Sequence, residues 1–259
     1  MPEFPRRSSD TADVPGAMTR RAFSTTLTAG AIGSALPGLP GAAFAAETGS
    51  VYCNVNVTNE ASVDAGFAQA RAANGQERIL VNCAGVAIGQ RIARKGKDGA
   101  AAVPHDLAAF SRVISINLIG TFLMMSKCSA GMMALDPIGD DGERGVMINT
   151  SSVAAEDGQI GQVAYAASKG GVKSMVLPIA RDLAQSGIRV CAILPGLFHT
   201  PMFDGLPEDA RRSLAATVPF PSRLGNATEY AALATHICEN VMLNGECIRL
   251  DGAIRLAPR

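Results

Sequence analysis

INTSSVAAEDGQIGQVAYAASKGG, residues 148–171, decides how this chain is read. It begins inside an apolar run, GVMINTSS (145–152), that reads as a buried strand. It ends inside a helical pattern over 162–186, where Pro178 predicts a kink. Tyr165 and Lys169 stand at i and i+4 of that helix and share one face. An ammonium beside a phenol favours phenolate and lowers the tyrosine pKa from about 10. Tyr165 then suits general acid/base work near neutral pH. Ser152, thirteen residues earlier at a strand end, can hydrogen-bond the same substrate oxygen. A lone Tyr-x-x-x-Lys is more often an ordinary surface pair, so the weight falls on what surrounds it.

Outward from this stretch, strand-like and helix-like segments alternate. VYCNVNV (51–57), ERILVNCAG (77–85), IRVCAILPG (188–196) and ECIRLDG (246–252) read as strands. Residues 61–74, 106–135, 205–215 and 227–240 carry helical spacing. Continuous apolar strands between amphipathic helices predict an α/β fold, a Rossmann-like doubly wound parallel sheet covered on both faces. Ligands bind such sheets at the carboxyl ends of the strands, here NCAG, INTSS and ILPG.

Composition narrows the function. Twenty-three basic residues balance twenty-three acidic ones, which leaves no electrostatic footprint for nucleic acid and no polybasic membrane anchor. Trp is absent, which argues against a stacking platform for single strands. Six cysteines without a Cys-x-x-Cys pair read as buried free thiols in a reducing, cytoplasmic compartment. Three scattered histidines predict no metal site.

In order and spacing, NCAG (82–85), SINLIG (115–120), INTSSVAA (148–155), YAASKGG (165–171) and ILPGLFHTP (193–201) resemble the short-chain dehydrogenases/reductases. The likeness runs from about Ala45 to the C-terminus. GQIGQVAYAASKGG, LPIARDLA, VPFPSRLG and NGECIRLDGAIRL are most similar to its type 2 3-hydroxyacyl-CoA dehydrogenase subgroup. The resemblance implies hydride transfer between NAD(H), with NADP(H) open, and a secondary alcohol or ketone, an acyl-CoA being favoured. It implies that Tyr165 is the acid/base, that Lys169 lowers its pKa and holds the nicotinamide ribose, that Ser152 orients the carbonyl and that Asn117 holds a relay water. Asn82, Cys83, Ala84 and Gly85 would line the adenosine side. Asn56 and Val57 would meet the adenine, with Asn56 where the family usually has Asp. Pro195, Gly196, Phe198 and Thr200 would flank the nicotinamide. Arg91, Arg94, Lys95 and Lys97 read equally as a solvated loop or as an approach to CoA phosphates. A homotetramer built on 106–135, 162–186 and the C-terminal segment is also implied.

The N-terminal stretch TRRAFSTTLTAGAIGSALPGLPGAAFAAETGS, 19–50, does not complete that fold. TAGAIGSAL (28–36) fits a pyrophosphate loop loosely, with Ala29 and Ala35 where glycines belong and Pro37 and Pro40 in the helix that should follow. Only 27 positions separate Gly30 from Val57, too few for the family's second strand and its helices. Strands 1 and 2 of the usual order are therefore expected to be missing or degenerate. A twin arginine, an uncharged stretch and Ala43-Phe44-Ala45 read equally as an export leader. Three readings stand: leader, degenerate loop, or misjoined start, with a boundary at 46/47. Two functions follow, a working dehydrogenase or an impaired scaffold that binds cofactor poorly. Intact mass of the natively expressed protein separates leader from the rest: loss of about 45 residues means processing, and a full-length mass means that the leader is unused.

Overall fold

The computed structural model describes the strand Thr26–Ala29 and residues 50–200 and 207–258. In chain order the elements are β1 (Thr26–Ala29), α1 (Glu60–Asn74), β2 (Ile79–Asn82), β3 (Ala93–Arg94), β4 (Val103–Pro104), α2 (Leu107–Ile114), α3 (Gly120–Met132), β5 (Gly145–Thr150), α4 (Val163–Leu183), β6 (Ile188–Pro195), α5 (Glu208–Ala215), α6 (Ala227–Glu239) and β7 (Cys247–Leu250). Five strands form one sheet in the order β1-β2-β5-β6-β7, and every pairing in it is parallel. β3 and β4 form a separate antiparallel hairpin.

Side-chain alternation along β6 explains the two layers. Val190, Ala192 and Leu194 join Leu80 and Met147 beneath α1, α3 and α4, against Val63, Phe67, Met124, Met125, Cys128, Val176 and Ala180. Cys191 and Ile193 join Ile79 and Ile148 beneath α6, against Ala234, Ile237 and Cys238. Each such large side chain removed from water is worth about 1.5–3 kcal/mol, so the doubly covered sheet is the dominant stabilising unit. The α/β reading from the apolar strands therefore holds.

Three local expectations change. Residues 51–57 join neither sheet, and Val57 already belongs to a turn. A strand needs a neighbour to pair its backbone, and among the described residues no strand lies beside this one. The segment is held by other means: Asn56 N donates to Ser62 Oγ at 2.9 Å, and Val57 is buried against Gly120, where a β-carbon would sit 2.7 Å from Val57 Cγ2. Second, an N-terminal strand is present: Thr26–Ala29 pairs with Ile79–Asn82 at the sheet edge. Thr28 and Ala29 of the loop candidate end this strand, and Gly30 to Leu36 lie outside the described residues. Third, the long helix over 106–135 is not uniform. Ser115–Ile119 form a π turn between α2 and α3, closed by Gly120 N–H to the Ser115 carbonyl. Such single-turn bulges occur often at functional sites.

Pro178 does not end α4, which continues to Leu183. It lies on the exposed side, where water can take the carbonyl of Ser174 that proline leaves without a donor. The helix stops through a 3-10 turn at Gly187, φ 65°, where a β-carbon would overlap the Gly142 carbonyl. Leu107–Met132 is apolar and long enough to cross a membrane by composition, and Val113, Met124, Met125, Cys128 and Met132 from it are buried in the protein.

The N-terminal end of β6 carries a buried ion pair. Arg189 donates to Glu143 at 2.8 Å and to the carbonyls of Ile237, Cys238 and Leu243, tying the sheet to the C-terminal end of α6. Arg189→Leu should cost about 3–5 kcal/mol in urea unfolding, because Glu143 and those carbonyls stay buried without a donor.

Candidate active site

The carboxyl ends of β2, β5 and β6 converge with α4 and the π turn, and four of the expected residues meet there. Lys169, one turn beyond Tyr165 on α4, is buried and places Nζ 5.9 Å from the centre of the Tyr165 ring. Nζ donates to the Thr150 carbonyl at 2.7 Å. Ser152 follows the end of β5 and caps a short 3-10 turn, its hydroxyl accepting from Ala154 N at 3.1 Å. Asn117 is fully buried in the π turn. Its Nδ2 donates to the Val86 carbonyl at 2.9 Å and to Ser168 Oγ at 3.0 Å, and its Oδ1 accepts from Val86 N at 2.8 Å. Ser168 Oγ donates onward to the Tyr165 carbonyl at 2.8 Å. Asn117 thus clamps the segment after NCAG to the helix that carries Tyr165 and Lys169.

The electrostatics depart from the sequence expectation. Burial raises the Tyr165 pKa, and the Ser152 hydroxyl offsets this only partly through its hydrogen bond. Lys169 does not lower the phenol as expected, because its ammonium is turned to the Thr150 carbonyl. Burial lowers Lys169 itself from 10.5 to about 8, with nearby Cys83 opposing the shift. In this arrangement Tyr165 is held as a phenol, the form that donates a proton.

Of the expected cofactor residues, Asn82 and Ala84 are buried and Cys83 is exposed. Asn82 Nδ2 donates to Asn149 Oδ1 at 2.9 Å, which locks the ends of β2 and β5 together. At Gly85 a β-carbon would stand 3.4 Å from both Asn117 Oδ1 and Lys169 Nζ, so glycine keeps that approach open. Pro195 ends β6, and Gly196 comes so close to Asp251 that a β-carbon would lie 2.8 Å from its Cβ. Phe198 is buried and forms an isolated bridge with Gly225, and Thr200 is half-buried. Phe198 also lines a cavity with Leu197, Val218 and Leu250, which Tyr165 and Lys169 do not border. At the far end, Asn56 Oδ1 already accepts from Thr58 N and Oγ1 at 3.0 and 2.8 Å. The Val57 side chain faces the core, which leaves only its backbone for a ligand.

Bare backbone at Gly85 stands beside the Lys169 ammonium, and the Ser152 hydroxyl reaches the Tyr165 phenol, donors that fit the nicotinamide half of a dinucleotide. Two features escaped the sequence reading. Arg249 on β7 pairs with Glu156, with Asp157 at 2.7 Å and with Asp251 at 2.8 Å, bracing the loop after Ser152. Tyr230 on α6 brings its hydroxyl 2.7 Å from Thr150 Oγ1. Their contacts into the site have no local signal, since Asp157 lies 92 residues from Arg249 and Thr150 lies 80 from Tyr230 along the chain.

A family model described as short chain dehydrogenase matches residues 40–211. The chain is 49% identical over 225 residues to 3-hydroxyacyl-CoA dehydrogenase type-2 of Drosophila melanogaster, covering 86% of each. It is 48% identical over 227 residues to the protein of that name from Homo sapiens, covering 86% of this chain and 84% of the relative. A crystal structure of 3-hydroxyacyl-CoA dehydrogenase type-2 from Mycobacterium avium matches with a TM-score of 0.78 and 39% identity, over 85% of this chain and 83% of that one.

The lowered Lys169 pKa has a consequence for stability. Between about 8 and 10.5 the unfolded chain binds more protons at this residue than the folded one, so its contribution to stability rises with pH there. Lys169→Met should melt above the parent at pH 7, and the gap should close as pH rises through that window in parallel thermal scans.

Proposed function

This chain belongs to the short-chain dehydrogenase family, and on that footing we propose that it transfers a hydride between NAD(H) and a 3-hydroxyacyl-CoA or a related secondary alcohol. The observation that carries the reading is the meeting of Ser152, Tyr165, Lys169 and Asn117 at the carboxyl edge of β5. The names borne by the relatives support an acyl-CoA substrate. Those likenesses lend no support to an impaired scaffold.

The nicotinamide ring, when bound, supplies or accepts the hydride. The protein's own residues handle the proton and the geometry. In reduction, Tyr165 donates its phenolic proton to the substrate oxygen while Ser152 orients that oxygen. In oxidation, Tyr165 takes the alcohol proton back. Lys169 keeps a positive charge near the phenol and offers a donor to the cofactor ribose. Asn82, Cys83, Ala84 and Gly85 would line the adenosine side, and Pro195, Gly196 and Thr200 the nicotinamide. Because burial holds Tyr165 as a phenol, reduction is favoured at lower pH and oxidation gains as pH rises.

The β3–β4 hairpin presents Arg91, Arg94 and Lys95 to solvent, which suits the phosphates of CoA. Ile119 and Phe122 at and beyond the π turn, with Val163 and Leu177 on α4, are exposed apolar residues, which supports a homo-oligomer built on these helices. The six free thiols suit a reducing compartment, which supports a cytoplasmic location.

Consumption of NADH with a 3-ketoacyl-CoA tests the assignment. Tyr165→Phe should lower kcat by about 10²–10⁴-fold with an unchanged circular dichroism spectrum. An NADH titration followed by cofactor fluorescence, with no binding even at millimolar NADH, would sink the reading.

A further inference from the structure

The residue that links the two faces of the sheet at the site is Thr150. It is the last residue of β5, and its two polar groups serve different partners. Its carbonyl accepts from Lys169 Nζ at 2.7 Å. Its hydroxyl reaches Cys83 Sγ at 3.5 Å and lies 2.7 Å from the hydroxyl of Tyr230. Tyr230 comes from α6 and packs on the core cluster of the face opposite α4. We propose that Tyr230 is a positioning residue: its hydroxyl pins Thr150, and through Thr150 the carbonyl that holds the Lys169 ammonium in the site.

Tyr230 is equipped for this. Burial raises its pKa well above the usual tyrosine range, so it stays a neutral hydroxyl throughout the working pH range. A buried hydroxyl without a partner costs about 1–3 kcal/mol, so the bond to Thr150 is strongly enforced. Tyr230, Thr150 and Cys83 form one hydrogen-bonded cluster that joins α6 to the ends of β5 and β2. Thr150 is paired with Ile193 on the β6 side, but on the other side the ladder with β2 ends at Asn82↔Asn149, so there its hydroxyl contacts to Tyr230 and Cys83 take the place of a strand partner. The ionisable groups that face Lys169 among the described residues are Tyr165 on its own helix and Cys83 at the end of β2. Tyr230 acts from the third side, through Thr150. Asn117, from the π turn, presents an amide.

The effect on catalysis rests on the dehydrogenase reading above, and the positioning itself does not. Loosening the carbonyl weakens its bond to the ammonium and favours the neutral amine, so the Lys169 midpoint falls. The chain has five lysines, Lys95, Lys97, Lys127, Lys169 and Lys173, few enough to follow singly by NMR after labelling with [ε-13C]lysine. Lys169→Arg assigns the signal. In the protein without added cofactor, Tyr230→Phe and Thr150→Val should each lower the Lys169 midpoint by about half a pH unit or more. The double variant should move it no further than either single one, because both remove the same link. Thr150→Ser, which keeps the hydroxyl, should restore the parent midpoint. An unchanged midpoint in folded Tyr230→Phe overturns the proposal. Should that variant not fold, equal midpoints for Thr150→Val and Thr150→Ser overturn it instead. The alkaline limb of kcat should follow the same shift. If the midpoint moves in a chain that shows no dehydrogenase activity, the reaction assignment fails and the positioning role stands.

Discussion

The site depends on one buried amide. Asn117 spends its side-chain donors and acceptor on the backbone of Val86 and the hydroxyl of Ser168, away from water. A buried carboxamide left half-paired would be costly, so this set of bonds is all-or-none. It obliges the NCAG segment, the π turn and α4 to keep one mutual arrangement. Asn117 lies in the π turn, and its carbonyl also accepts from Thr121 Oγ1 at 2.8 Å.

Around this clamp the sheet supplies rigidity and the loops supply chemistry. The ladder between β5 and β6 is the longest in the sheet, running from Gly145↔Ile188 to Thr150↔Ile193. It delivers Ser151 and Ser152 at one end and the Arg189 ion pair at the other. Ser151 Oγ donates to the Lys169 carbonyl at 2.8 Å, so the residue beside Ser152 also helps to hold α4. The Arg249 cluster then fastens the loop after Ser152 to β7. Tyr165 and Lys169 are thus carried on one helix and braced from three directions, the kind of fixed geometry that the proposed proton transfer requires.

Much of this was legible in the amino-acid order. The apolar runs at 79–82, 145–150 and 188–195 are continuous because both of their faces are covered, and a buried strand has few other ways to be written. Tyr165 and Lys169 are four apart on a helix, a spacing that puts them together wherever the helix goes. VYCNVNV misled because β-rich composition reports a surface that fits a sheet, and pairing needs a neighbour that composition does not provide. The π turn at Ser115–Ile119 escaped because its residues have ordinary helical propensity and its cause is the polar clamp beyond it.

The sequence by itself determined the class of fold and the pairing of Tyr165 with Lys169, which rest on periodicity and on short spacing along one element, and its family resemblance added Ser152 to that pair. Only the tertiary structure decided how those groups are tuned. Lys169 turns to Thr150 rather than to the phenol, Tyr165 is raised rather than lowered by burial, and Tyr230 and Arg249 enter the site from distant segments. Desolvation and hydrogen bonding depend on what stands nearby in space, and for these residues the neighbours are contributed by elements far apart in the chain.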